Sequence, residues 1–123
     1  MSFLMIYDDS NIFARILRGE IPARKIYEDE YVLAFHDAFP KAPVHALVIP
    51  KGKYLNIDEF NAKASDAEIL ALYRAIPKVV KELGLEEKGF RTIANTGING
   101  GQEVPHFHIH IVGGKVIGPM IAD

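Results

Sequence analysis

A run near the C-terminus, His106-Phe107-His108-Ile109-His110-Ile111, alternates without a break between imidazole and apolar side chains. In an extended strand, side chains two apart share a face. A strand here sends His106, His108 and His110 one way and Phe107, Ile109 and Ile111 the other, into a core. A helix would scatter the three imidazoles around its circumference, so the alternation argues for a strand. Positions two apart on a strand are separated by about 6.5–7 Å, close enough for the rings to line one site. A lone strand histidine is ordinarily structural or merely exposed. Three in strict alternation, backed by an apolar face, point to chemistry.

The rest of the chain supplies the frame. Asp8-Asp9-Ser10-Asn11 opens a short helix carrying Ile12, Phe13, Ile16 and Leu17, which Gly19 and Pro22 stop. Residues 24–28 and 31–37 read as two strands joined tightly through Asp29-Glu30. A proline loop at 39–43 leads to a third strand, 45–50, ended by Pro50 and Gly52. A helical turn is expected near 57–60. Ser65-Asp66-Ala67-Glu68 has the form of a capping box for a long helix to Leu83, which Pro77 should interrupt and kink and Gly84 should cap. Residues 90–95 and 106–112 are the last strands, with a glycine-rich loop at 96–102 between them. Strands cluster rather than alternating with helices. The class is therefore α+β, a five-stranded mainly antiparallel sheet with one long and one short helix. The divisions are an N-terminal arm at 1–10, one domain at 11–114 and a C-terminal tail at 115–123. At 123 residues, this is the length of a single domain.

Composition removes several functions. The formal charge is −2, which gives no electrostatic reason to bind nucleic acid or an anionic membrane. With no cysteine there is no disulfide or thiolate metal site. The compartment is unmarked by redox chemistry, and cytoplasm is the default. Phe3-Leu4-Met5-Ile6-Tyr7 is apolar but far shorter than the ~20 residues of a membrane span. It reads as an extra strand, a contact arm or a disordered tail. For the histidine row two chemistries stay open. Imidazoles at i, i+2 can share a metal ion, or a neutral imidazole can attack phosphorus and split a hard displacement into two easier steps. No acid lies within the row, and Glu103 is three residues before it, which leans away from zinc with a carboxylate ligand.

The row and the Gly113 that follows it closely resemble the signature of the histidine triad (HIT) family. The resemblance runs from about residue 11 to 114. Ile12-Phe13, Glu20-Ile21-Pro22-Ala23, Leu33-Ala34-Phe35-His36-Asp37, Ala42-Pro43-Val44-His45, Leu47-Val48-Ile49-Pro50-Lys51 and Gly100-Gly101-Gln102 fall in the family's order. It is similar above all to the histidine triad nucleotide-binding branch, typically purine nucleoside phosphoramidases. The resemblance implies that His108 is the nucleophile and becomes nucleotidylated, flanked by His106 and His110, which orient imidazoles and stabilise phosphoryl oxygens, and joined by His45. It implies further that Asn95, Gly101, Gln102, Glu103 and Val104 border the phosphate. Asp37 would accept from the ribose hydroxyls, and Ile12, Phe13, Ile16, Ile21, Phe35 and His36 would enclose the base. Purine nucleoside monophosphate derivatives are the implied ligands and a homodimer the implied assembly. No cofactor is required, with zinc an alternative that is not favoured.

Simpler roles stand beside these. Ile12, Phe13, Ile16 and Phe35 are core residues on pattern alone. Asp37 is equally a local cap, and Asn95 could brace its loop. Two departures bear on the leaving group: Glu103 stands where some members carry Ser, and the tail lacks the tryptophan of some relatives. Dinucleoside polyphosphate hydrolysis and a non-catalytic nucleotide- or partner-binding module are the rival readings.

Overall fold

The computed structural model describes residues 6–122, so Phe3, Leu4 and Met5 of the apolar arm lie outside the described residues. The elements run α1 (Ile12–Leu17), β1 (Lys25–Glu28), β2 (Val32–His36), β3 (Val44–Pro50), α2 (Ile57–Lys63), α3 (Asp66–Glu82), β4 (Phe90–Ile93), α4 (Gly97–Gly100) and β5 (Ile109–Gly113). The strands form one sheet in the order β1-β2-β3-β5-β4, every pairing antiparallel. The α+β class with a five-stranded antiparallel sheet is as the pattern requires. Among the described residues no helix is long and apolar enough to cross a membrane.

The sheet has two unlike faces, and this organises the molecule. On one face α3 lays Leu72, Ala75 and Val79 against Val32, Ala34, Ala46, Val48, Ile109 and Ile111, with Phe60 of α2 and Phe107 completing the core. On the other face Leu33, Phe35, Leu47 and Ile49 meet only Phe13 of the short α1 and a few partly buried neighbours. Central strands buried on both sides need apolar residues at consecutive positions. That is why β2 and β3 read as unbroken apolar runs rather than alternating ones.

Local chemistry starts and stops the elements. Asn11 caps α1 by accepting from the Ala14 amide. The Asp29 carboxylate accepts from the Tyr31 and Val32 amides and so makes the β1–β2 turn. At α3 the capping box is complete: Ser65 Oγ accepts from the Glu68 amide, and Glu68 Oε1 accepts from the Ser65 amide.

Three expectations need correcting. The long helix runs unbroken through Pro77. The missing amide frees only the carbonyl of Tyr73, a half-exposed residue, which water can satisfy. Among the described residues the helices number four rather than two, because Asn56 caps a full helix at Ile57–Lys63 and the glycine-rich loop folds one turn at Gly97–Gly100. Finally, the last strand begins at Ile109 rather than His106. Its ladder with β3 closes at the pair Val48–Ile109; continued, it would set Phe107 opposite Pro50, which has no amide to give. The Phe107 amide donates instead to the Tyr54 carbonyl at 2.7 Å.

Phe107 is 2% exposed, and its ring centroid lies 5.0 Å from that of Phe60. Phe107→Ala is expected to lower unfolding free energy by about 3–5 kcal/mol, measured by urea denaturation. A change below about 1 kcal/mol would mean that this side of the alternation does not anchor the histidine segment.

Candidate active site

The less covered face of the sheet carries a cleft of about 1010 Å³. Although residues 106–108 lie outside the ladder, the alternation persists through them. Phe107, Ile109 and Ile111 enter the α3 core, while His108 and His110 line the cleft. The register pairs Leu47 with His110 and His45 with Val112. His45 and His110 are therefore diagonal neighbours on one face, within reach of each other.

Hydrogen-bond partners assign the imidazole protons. His108 Nδ1 lies 2.7 Å from the His106 carbonyl, which can only accept. Nδ1 therefore carries the proton, and in the neutral ring the lone pair is on Nε2. Across the face, the Lys41 amide donates to His45 Nδ1 at 3.0 Å, so the His45 proton is on Nε2. That nitrogen donates to His110 Nδ1 at 2.9 Å and lies 3.4 Å from Asp37 Oδ2. His110 then keeps its own proton on Nε2. The result is one lone pair and one N–H donor on adjacent rings whose centroids are 4.9 Å apart.

Burial makes these rings neutral. It lowers His108 against the opposing pull of the His106 carbonyl, Asp37 and Glu103. It holds His110 down to about 4, helped by His108 and His45, and lowers His45 against the attraction of Asp37. Desolvation penalises the imidazolium form, and nearby imidazoles penalise it again.

Most of the remaining predicted residues line the same cleft, among them Ile12, Phe13, Ile16, Ile21, Phe35 and His36. Phe13 meets both Phe35, at 5.6 Å, and His108, at 4.9 Å, edge to face, so it belongs to core and cleft together. Asp37 also lines the cleft and accepts from the Phe39 amide through Oδ1, so its local-cap role is real and leaves Oδ2 toward His45. Asn95, Gly101, Glu103 and Val104 line it as well. Gly101 turns the chain out of α4 at φ +72°, a backbone state suited to glycine.

Two predicted residues do not line the cleft. Gln102 is spent on bracing its loop: Nε2 donates to the carbonyls of Leu55 (2.6 Å) and Val104 (3.0 Å), and Oε1 accepts from the Gly97 amide. His106 is wholly buried, with Nε2 2.8 Å from the Pro50 carbonyl and Nδ1 2.6 Å from the Tyr7 hydroxyl. Both of its nitrogens are thus engaged within the protein, away from the cleft.

Sequence reasoning missed Arg24 and Lys41, which add two cations to the cleft lining. Lys41 sits in the proline loop and Arg24 just before β1, and neither position carries a periodic signal. It also missed Tyr7, which no local pattern connects to a histidine 99 residues away.

A family model for the HIT domain matches residues 18–117. The chain is 54% identical over 115 residues to an uncharacterised 13.2 kDa HIT-like protein of Azospirillum brasilense, covering 94% of each chain. It is 39% identical over 114 residues to the purine nucleoside phosphoramidase of Escherichia coli K12, covering 93% of this chain and 95% of that one. Among solved structures it is similar to a HIT family hydrolase from Clostridium thermocellum, with TM-score 0.83, 43% identity and coverage of 93% and 98%. It is also similar to a histidine triad protein from Clostridium difficile, with TM-score 0.80, 40% identity and coverage of 98% and 100%.

The buried row has a pH signature. Burial holds His106 down to about 4, opposed by its bond to the Pro50 carbonyl, whereas an unfolded histidine titrates near 6.5. Between those values the unfolded chain binds the extra proton and the native chain does not, so stability falls as pH falls through that window. His106 alone is expected to remove roughly 3 kcal/mol by pH 4. Imidazole NMR shifts should show His106 neutral at about pH 5.5; a midpoint near 6.5 would contradict the buried, doubly bonded ring.

Proposed function

The chain belongs to the HIT domain family, and on that premise we propose that it is a nucleotide hydrolase or transferase of the histidine triad nucleotide-binding branch: a purine nucleoside phosphoramidase acting through a covalent nucleotidyl-histidine on His108. The observation that carries this reading is the bond from His108 Nδ1 to the His106 carbonyl, which leaves an unprotonated Nε2 at the cleft. A nitrogen nucleophile needs a lone pair at the reacting atom and freedom from a competing proton.

On this reading Nε2 attacks the α-phosphorus, the phosphorus–nitrogen bond breaks, and the amine departs with a proton taken from solvent. Water then attacks the nucleotidyl-histidine, breaks its phosphorus–nitrogen bond, releases the nucleoside monophosphate and returns a proton to solvent. The His110 Nε2–H, fixed by the chain from the Lys41 amide through His45, supports charge on an equatorial oxygen without reorganising. Asp37 would meet the ribose, and Ile12, Phe13, Ile16, Ile21, Phe35 and His36 the base, as apolar walls suit a flat ring. The phosphoramidase name of the Escherichia coli relative favours an amine leaving group over a second nucleotide.

The reading requires no cofactor. Asp37, His45 and His110 offer ligand atoms within 4.8 Å of one another. Yet His45 Nε2 and His110 Nδ1 share a proton at 2.9 Å, and an ion would have to displace it. A homodimer is part of the proposal. β4 is an edge strand whose first residue, Phe90, is exposed, and α3 separately exposes Leu70 and Tyr73; a second copy could cover apolar surface of either kind.

His108→Ala is expected to abolish turnover of an adenosine phosphoramidate while leaving binding of adenosine monophosphate within about threefold. Acid-labile nucleotidyl adduct should map to position 108 in the native chain, and chelators should leave the rate unchanged. Full turnover in the variant, faster cleavage of a dinucleoside polyphosphate in direct competition, or zinc-restored activity would each displace the reading. Light scattering should give a dimer mass at micromolar concentration; a monomer would remove the assembly from it.

A further inference from the structure

We propose that Tyr7 is a positioning residue for the nucleophile: its hydroxyl clamps the His106 imidazole, and residue 106 in turn presents the carbonyl that fixes the reactive tautomer of His108. The proposal deepens the preceding one, since it concerns the same nucleophile, and it rests on that reading for its catalytic consequence.

The proton logic begins at Pro50. Its carbonyl can only accept, so His106 Nε2, at 2.8 Å, carries a proton. The neutral ring then has one acceptor site, Nδ1, and the Tyr7 hydroxyl fills it at 2.6 Å. Burial pushes the Tyr7 phenol up, so it remains an O–H donor across the working range. His106 is wholly buried, where leaving its acceptor nitrogen without a donor is costly. Aromatic edges hold the same ring, with Tyr7 at 5.6 Å and Phe13 at 6.3 Å.

Tyr7 reaches this position because the chain folds back just after it. Ser10 donates to the Asp8 carboxylate through both its amide and its hydroxyl, and Asn11 donates to the Asp8 carbonyl through both its amide and its side chain. That knot reverses the backbone between Tyr7 and α1. It lets one residue touch His106 while the following helix supplies Phe13 to His108. The N-terminal arm and the wall of the cleft are thus tied to adjacent members of the histidine row.

The consequence falls on His108. Its Nδ1 proton is selected by the carbonyl of residue 106, at 2.7 Å. A ring at 106 held by one bond instead of two is free to tilt and to move that carbonyl. His108 then samples the tautomer with the proton on Nε2, which has no lone pair to attack with. Substrate binding, made by other residues, is untouched. The expected mark is a loss in the chemical step with affinity preserved.

Tyr7→Phe keeps the ring and removes the donor. In the full chain we expect the single-turnover nucleotidylation rate to fall about tenfold and nucleoside monophosphate affinity to change less than about twofold. Nitrogen-15 spectra of the substrate-free protein should show His108 passing from one Nδ1–H tautomer to a mixture. A purely structural hydroxyl predicts a lower thermal midpoint with rate and tautomer unchanged, and that result overturns the proposal. The spectra need no substrate. If His108 loses its single tautomer in Tyr7→Phe but the native chain cleaves no phosphoramidate, positioning stands and the functional reading fails. Should Tyr7→Phe not fold, fluorotyrosine at position 7 strengthens the donor in place: unchanged rate and His106 shifts across a fluorination series would also overturn it.

Discussion

The antiparallel pairing of β3 with β5 is the constraint on which everything else rests. Its register sets Leu47 opposite His110 and His45 opposite Val112, and the two-residue period of a strand does the remainder. A slip of one position would drive the imidazoles into the α3 core and expose Ile109 and Ile111. Burial of Ala46, Val48 and Ile111, none measurably exposed, makes that slip prohibitive. The same apolar contacts that stabilise the sheet therefore decide which side the chemistry faces.

Around that register, the site is organised by neutral hydrogen bonds rather than by charge. Each histidine of the cleft is held below its ordinary titration range by burial. In such surroundings an imidazole's usefulness depends on which nitrogen bears hydrogen. Backbone groups decide that at two points, the His106 carbonyl and the Lys41 amide. Backbone is a dependable reference here, because a carbonyl can never donate and an amide can never accept.

Much of the fold was legible because its signals are local and periodic. The capping residues Asn11 and Ser65, the apolar face of α3 and the alternation at 106–111 each depend on neighbours within a few positions. What was not legible depends on distant partners. The last strand starts late because Pro50, on another strand, has no amide to offer. Gln102 faces away from the cleft because the carbonyl of Leu55 draws its amide. Tyr7 finds its partner, the His106 ring, 99 positions away. Arg24 and Lys41 lie in segments where a charge looks like ordinary solvent-facing decoration. The site was thus readable in its histidines and much less so in the groups that hold them.

The unequal covering of the two sheet faces has an evolutionary corollary. Helix α1 is six residues long, too short to persist without tertiary support, and it is the chief roof over one side. The opposite side carries most of the burial that keeps the chain folded. Changes at the partly exposed residues of that roof, Ile12 and Ile16, therefore cost folding less than changes under α3. A lineage built on this plan can vary that rim while inheriting its architecture from the other side.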